Sequence, residues 1–75
     1  MATLPVVKPK QVLAALQRAD FLVVRQTGSH VRLIHETVPS RRVTLPLHNK
    51  DLKKGTLKSI LRQAELSVEE FVELL

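Results

Sequence analysis

The spacing of apolar residues changes twice along this 75-residue chain, and that change constrains the fold more than any other feature. Apolar side chains recur every three or four residues near the N-terminus, alternate with polar ones through the middle, and then return to the first spacing. The first spacing is that of one face of a helix, and the second is that of one face of a strand. The sequence therefore predicts helices on either side of a short antiparallel sheet.

Two segments with helical spacing flank the alternating region. The first is predicted as a helix over residues 9–19, with Pro9 suited to its first turn. The second is predicted to begin at residue 55 or 56 and to end near residue 66. A short third helix is expected after Ser67, whose spacing to Glu70 matches a capping box. Its apolar stripe is expected to fold back on the core, through Val68, Phe71, Val72 and Leu75.

Three strands are predicted in the alternating region, over residues 21–25, 30–36 and 42–45. A compact turn at Gly28 joins the first two, because glycine adopts positive φ without a steric cost, and Pro46 ends the third. The predicted fold is α+β, with the order α-β-β-β-α and a short C-terminal helix. The helices cover one face of the three-stranded sheet. The inward residues are expected to be Val31, Leu33, Val43 and Leu45, and the open face is expected to carry His30, Arg32 and Arg42.

Length and composition allow one small domain, predicted over residues 8–75 after a short N-terminal tail at 1–7. The chain has no cysteine, which excludes disulfides, thiolate zinc sites and iron–sulfur clusters. No apolar run approaches the roughly 20 residues that cross a bilayer, and the N-terminus lacks a signal-peptide pattern. A cytoplasmic protein without a membrane partner is expected.

Charge is distributed unevenly along the sequence. Twelve Lys and Arg against three acidic residues give residues 1–62 a net charge of +9, whereas four Glu give residues 63–75 a charge of −4. Such asymmetry favours a polyanionic partner, although a basic solvated surface explains the charge equally well. The two aromatic residues, Phe21 and Phe71, are expected in the core. Contacts to a nucleic acid would then come from Lys, Arg and backbone amides rather than from base stacking.

Three motifs occur in this order: Gly28-Ser29-His30 at the predicted hairpin, Leu45-Pro46-Leu47-His48 at the exit of the third strand, and the lysine-rich segment 50–57 entering the second helix. Together they resemble the HicA family of toxin-antitoxin mRNA interferases. The resemblance covers residues 9–66, and residues 67–71 are similar to a frequent extension of the family. It implies a fold like that of double-stranded-RNA-binding domains, cleavage of mRNA, and neutralisation by a HicB-type antitoxin.

The resemblance also implies specific roles. His30 occupies the position of the family's catalytic histidine, in an intact Gly-Ser-His motif. Two positions depart from the pattern, because Asp20 and Glu65 stand where family members often place glycine. Both lie at predicted helix ends, so the departures bear on loop geometry and stability more than on catalysis.

Histidine suits RNA cleavage because an imidazole changes its protonation state near neutral pH. The hypothesis is that neutral His30 accepts the 2′-hydroxyl proton and that the 2′-oxygen attacks the phosphate, with no metal or cofactor. No HxH or HxxxH pattern favours a metal site. Support is expected from Ser29, His48 and Lys50, whereas His35 is predicted to pack against the core. RNA contacts are predicted for Arg25, Arg32, Arg42, Lys53, Lys54 and Lys58.

Two other classes of function fit the same residues. A non-catalytic RNA-binding module would use the same sheet face and lysines, with His30 contributing only a hydrogen bond. A pure interaction protein would use the acidic tail helix or the open sheet face for docking. The first predicts binding without turnover, and the second predicts no RNA affinity at moderate salt.

Overall fold

The computed structural model describes residues 3–75 and contains a helix, three strands and two further helices. The three strands form one antiparallel sheet of order β1-β2-β3, which confirms the predicted α+β fold with its α-β-β-β-α order. No helix within residues 3–75 is long and apolar enough to span a membrane. The elements are α1 (Pro9–Arg18), β1 (Phe21–Thr27), β2 (His30–His35), β3 (Arg42–Pro46), α2 (Lys54–Ala64) and α3 (Val68–Leu74).

One face of the sheet packs against the helices and forms the core. Alternate residues of β2 and β3 point into it, as their sequence spacing predicts. Both phenylalanine rings are buried in the same cluster, which confirms that neither is available for base stacking. The most deeply buried side chains include Val12, Leu16, Phe21, Val31, Leu33, Val43, Leu45, Leu57, Ile60 and Phe71.

The hairpin between β1 and β2 is tight. Gly28 and Ser29 form the turn, and Gly28 adopts φ +56°, the left-handed conformation that the sequence predicts for this glycine. β1 continues to Thr27, two residues beyond its predicted end. The polar residues Gln26 and Thr27 carry no apolar signal, but they pair with β2.

The C-terminal part differs from the prediction in α2 and in α3. α2 begins at Lys54, one residue before the earlier of its two predicted starts. α2 ends at Ala64 rather than near Leu66, because Glu65 adopts the left-handed conformation with φ 57°. In α3, Phe71 is buried, but Val72 and Leu75 are 40% and 46% exposed. The predicted stripe was therefore wrong for these two residues. The seven-residue helix turns one narrow face to the core, formed by Phe71 with Val68 and Leu74 beside it.

The N-terminal segment is attached to the domain at Val7, which is buried in the core. Its carbonyl oxygen accepts a hydrogen bond of 2.9 Å from the amide of Leu52, which is also buried. Met1 and Ala2 of the predicted tail lie outside the described residues. The contact between Val7 and Leu52 fixes the loop before α2 against the start of α1.

Candidate functional site

The open face of the sheet carries His30 and three arginines in rows that cross the strands. The row of His30 lies at the hairpin end, the next row contains Arg25 and Arg32, and Arg42 lies in a third row. Successive rows on one face are about 7 Å apart along a strand, so Arg42 is roughly 13 Å from the His30 row. The rows are Thr27–His30–Pro46, Arg25–Arg32–Thr44 and Leu22–Ile34–Arg42.

A β-bulge places Arg25 on this face. The pairing of β1 with β2 shifts between Val23 and Arg25, so that Arg25 lies opposite Arg32. Without the shift, Arg25 would lie opposite Val31, whose side chain points into the core. Bulges commonly redirect a side chain in this way. The extra residue, Val24, therefore brings a second guanidinium beside Arg32.

His30 lies in an open groove of about 440 Å³. Its side chain is exposed, and within residues 3–75 no group hydrogen-bonds the imidazole or pairs with Arg25 or Arg32. An anion that approaches the ring therefore meets two guanidinium groups whose charge is not neutralised locally. The sequence interpretation missed two residues of the wall, Thr27 and Thr44, which only the register of the strands identifies. The groove is lined by Arg25, Thr27, His30, Arg32 and Thr44.

A second groove begins where β3 leaves the sheet. The amide of Leu47 donates a hydrogen bond to the carbonyl oxygen of Ser29, which joins the exit of β3 to the hairpin turn. Ser29 thus contributes its backbone to the site. Pro46, the partner of His30 across the strands, lines the second groove and so connects the two. The lining residues are Pro46, His48, Lys50, Asp51, Leu52, Lys53 and Thr56.

The orientation of His48 is set by the backbone. Its Nδ1 accepts a hydrogen bond of 3.1 Å from the amide of Lys50. In the neutral ring the proton is therefore on Nε2, which is the nitrogen left to contact a ligand. Lys50 contributes this amide in addition to its exposed ammonium group.

The start of α2 concentrates positive charge next to the second groove. Lys53 is the N-cap residue and its side chain makes no cap hydrogen bond, so the amides of the first turn have no side-chain acceptor there. Free amides and the helix dipole favour an anion at this end. Burial of Leu52 holds the loop that leads into the helix. The exposed lysines are Lys50, Lys53, Lys54 and Lys58.

Other cations and one histidine serve the fold instead. The His35 ring lies edge-on to Phe21, with ring centroids 5.2 Å apart, and its Nδ1 accepts hydrogen bonds of 3.2 Å from the amides of residues 37 and 38. This confirms the packing role predicted for His35. The guanidinium of Arg41 lies over the same Phe21 ring and donates to the carbonyl oxygen of Ala64. On the open face, Nε of Arg42 donates to the carbonyl oxygen of Pro39, which leaves its terminal nitrogens exposed.

Comparison with known proteins adds an independent line of evidence. A family model described as the HicA toxin of bacterial toxin-antitoxin matches residues 9–66, from the first residue of α1 to just beyond the end of α2. No curated protein matches the chain significantly. The matched segment contains both grooves and the lysines at the start of α2. Because the match covers most of the 75 residues, this chain belongs to the HicA toxin family.

Proposed function

We propose that this chain is a cytoplasmic endoribonuclease toxin that cleaves mRNA at the His30 groove and is neutralised by a HicB-type antitoxin. The observation that carries the proposal is the setting of His30. Its imidazole is exposed and has no hydrogen-bond partner within residues 3–75, and it shares its groove with the guanidinium groups of Arg25 and Arg32. A phosphate held by those groups would bring the adjacent ribose to the ring.

His30 acts as the general base in this proposal. The neutral imidazole takes the proton of the 2′-hydroxyl, and the 2′-oxygen forms a bond to the adjacent phosphorus. The bond from phosphorus to the 5′-oxygen then breaks, which leaves a 2′,3′-cyclic phosphate on one product. DNA lacks the 2′-hydroxyl and is not a substrate. Arg25 and Arg32 stabilise the negative charge that develops on the phosphate oxygens.

His48 donates a hydrogen bond to the phosphate rather than a proton to the leaving oxygen. Its Nδ1 accepts from the Lys50 amide, so a protonated ring would set two donors against each other. A neutral ring would have to give up its Nε2 proton and become an imidazolate, and neutral imidazole is far too weak an acid for that step. The 5′-oxygen therefore takes its proton from a lysine ammonium group of the second groove. Lys50 is our candidate, because it lines that groove together with His48.

The second groove holds the RNA backbone beyond the cleaved bond. Lys53, Lys54 and Lys58 surround the first turns of α2, whose free amides also favour phosphate. Arg42 extends the cationic surface in the other direction, along the open sheet face. Contacts of this kind recognise the shape and charge of RNA rather than its bases.

A non-catalytic RNA-binding module is the second candidate, and one observation favours it. Within residues 3–75 no carboxylate or carbonyl group holds the His30 ring in a fixed orientation. Catalytic histidines are commonly oriented by such a partner. In the nuclease, bound RNA must supply this orientation, whereas a binding module needs none.

The decisive experiment incubates the purified chain with a structured mRNA in EDTA and compares it with His30→Ala. Cleavage is expected from the native chain only, with 2′,3′-cyclic phosphate ends and a loss of about 10²- to 10⁴-fold in the variant, as for other general bases. Circular dichroism of the variant checks that it folds. His35→Ala is the matched control for fold effects, because that ring packs on Phe21 outside the groove.

Each other outcome identifies an alternative. Intact RNA with retained binding indicates the non-catalytic module. Linear 3′-hydroxyl ends, or a requirement for magnesium, contradict attack by the 2′-oxygen. Equal cleavage by the native chain and by folded His30→Ala removes His30 from the mechanism.

A further inference from the structure

The two edges of the sheet differ in whether another strand can join them. At the β3 edge, the amide of Thr44 donates a 3.0 Å hydrogen bond to Oε1 of Gln63, and the side chain of Gln63 is itself bonded to Ser59. Pro46, on the same edge, has no amide hydrogen. α2 therefore closes the β3 edge to pairing. The β1 edge has no such cover, since within residues 3–75 no hydrogen bond from outside the hairpin reaches the β1 backbone.

The direction of the free backbone groups follows from the ladder. The amide of Glu36 donates to the carbonyl oxygen of Asp20, so even-numbered residues of β2 bond towards β1. The β1 residues paired with them direct their backbone amide and carbonyl groups towards β2. Val23 and Gln26 are not among these partners, and their backbone groups point away from the sheet. They form a template for an added strand.

The side chains along this edge are apolar and exposed. Leu22, Val23 and Val24 are 54%, 44% and 54% exposed, although they are consecutive residues of one edge strand. Edge strands of monomeric proteins are usually protected by charge or by a short length, because an exposed apolar edge invites pairing. The bulge interrupts the edge, but it turns Val24 to the same groove as Arg25 and Ile34. The apolar run is therefore continuous with the cationic open face.

Charge identifies the class of partner. A second copy of this chain would bring two surfaces of like charge together, since residues 1–62 carry +9. Arg25 follows the apolar run directly and lies beside Arg32. The complementary segment is an extended strand with apolar residues opposite 22–24 and carboxylates opposite the two arginines.

We propose that the cognate antitoxin adds a strand of this kind to the β1 edge. The proposal rests on the toxin role of the chain, but not on the ribonuclease step. A strand bound there would lie along the wall of the groove that holds His30, with its carboxylates on the guanidinium groups that an RNA phosphate would otherwise meet. One contact would thus both hold the antitoxin and exclude RNA.

The first test measures binding of the purified antitoxin to Val24→Lys by calorimetry, with Val72→Lys as control. Val72 is 40% exposed on α3, so both changes add one ammonium group to an exposed valine. Val24→Lys is expected to weaken binding at least tenfold, because the lysine removes the apolar contact, while Val72→Lys stays within twofold. Charge cannot produce this loss, since added positive charge attracts an acidic partner. Equal affinities for the native chain and folded Val24→Lys would overturn the proposal.

The second test uses the native chain and needs no variant. Amide hydrogen exchange is expected to slow at Val23 and Gln26 when the antitoxin binds, and to be unchanged there when RNA binds alone. Unchanged exchange with antitoxin, or slowing by RNA alone, would each contradict the proposal. Both readouts are binding measurements, so they decide it even if the chain cleaves no RNA, and a failure here leaves the His30 experiment unaffected.

Discussion

The two faces of the sheet differ in what they contribute to folding, and β2 shows this within two adjacent residues. Leu33 is fully buried against the helices, whereas Arg32 is exposed on the other face beside a second guanidinium. Among the described residues, the buried side of the molecule contains no buried polar or charged side chain. On the open face, Arg25 and Arg32 do not stabilise the fold, because like charges on adjacent strands repel each other. The proposed binding of RNA phosphate accounts for their arrangement, which the fold does not require.

Replacing these two neighbours is the strongest test of the comparison. Leu33→Ala is expected to lower the free energy of unfolding by about 2 to 5 kcal/mol, because it leaves a cavity in the core. Arg32→Ala is expected to change it by less than about 0.5 kcal/mol and to weaken RNA binding. Urea denaturation measures the first quantity, and a filter-binding titration measures the second. A large loss of stability in Arg32→Ala would mean that the open face contributes to folding after all.

The lysines at α2 provide a test of how the second groove contributes. Lys53→Gln combined with Lys54→Gln is expected to weaken RNA binding and to reduce the slope of log K against log salt by about 0.7 to 0.9 per lysine. The reason is that RNA binding releases fewer counterions when fewer lysines contact phosphates. The measurement is a series of binding titrations at increasing salt.

A matched control is Lys8→Gln combined with Lys10→Gln, which removes the same charge from exposed positions at the start of α1. Its salt slope is expected to change less than that of the α2 variant. Equal slopes for both variants would mean that the lysines act only through net charge and that the second groove has no special role.

The sequence was sufficient to predict all six elements, because each has a local signal: apolar spacing in most of them, a run of β-favouring residues in β1, and a capping box before α3. It also predicted the face of His30 and Arg32, since alternation along β2 fixes which side each residue takes. It did not predict how Arg25 comes to lie beside Arg32, because a bulge depends on cross-strand pairing and leaves no local signal. The closed β3 edge likewise depends on Gln63 of a distant helix.

At both chain ends, packing decides what the sequence pattern leaves open. Val7 follows a second valine, Val6, before a proline-led helix, and only its contact with Leu52 in three dimensions makes it part of the core. In α3, the apolar residues fit two overlapping helical stripes, one through Val72 and one through Leu74. The structure turns the stripe with Phe71, Val68 and Leu74 to the core. Short helices allow such a choice because packing rather than propensity decides their rotation.

Glu65 offers a change that should affect the stability of the fold and leave the open face unchanged. It ends α2 at φ 57°, where glycine is free of the strain that a Cβ atom causes. Glu65→Gly is expected to stabilise the fold by about 1 kcal/mol, and Asp20→Gly, at φ 69°, by less, because aspartate tolerates this conformation better. Thermal denaturation measures both. Because neither residue lines the His30 groove, RNA cleavage should be unchanged. Altered cleavage would mean that the conformation of these helix ends affects the open face.

Glu70 is expected to give the smallest effect, visible only through pH. The amide of Ser67 donates to its carboxylate, and the Ser67 hydroxyl adds to this, so the pKa of Glu70 lies below its ordinary value of 4.5. The ionised carboxylate thus favours the folded state. This contribution is fully present above about pH 4.5 and is lost as the pH falls through the lowered pKa.

Glu70→Gln keeps the capping geometry without the charge, so its stability relative to the native chain should be lower at neutral pH and should converge with it in acid. Urea denaturation across this range, with Glu73→Gln as the charge-matched control on α3, measures the difference. If the free energy of unfolding of Glu70→Gln runs parallel to that of the native chain across this pH range, the cap acts through its geometry alone. RNA binding at neutral pH should stay the same in either case, because the acidic helix α3 is separate from the cationic open face.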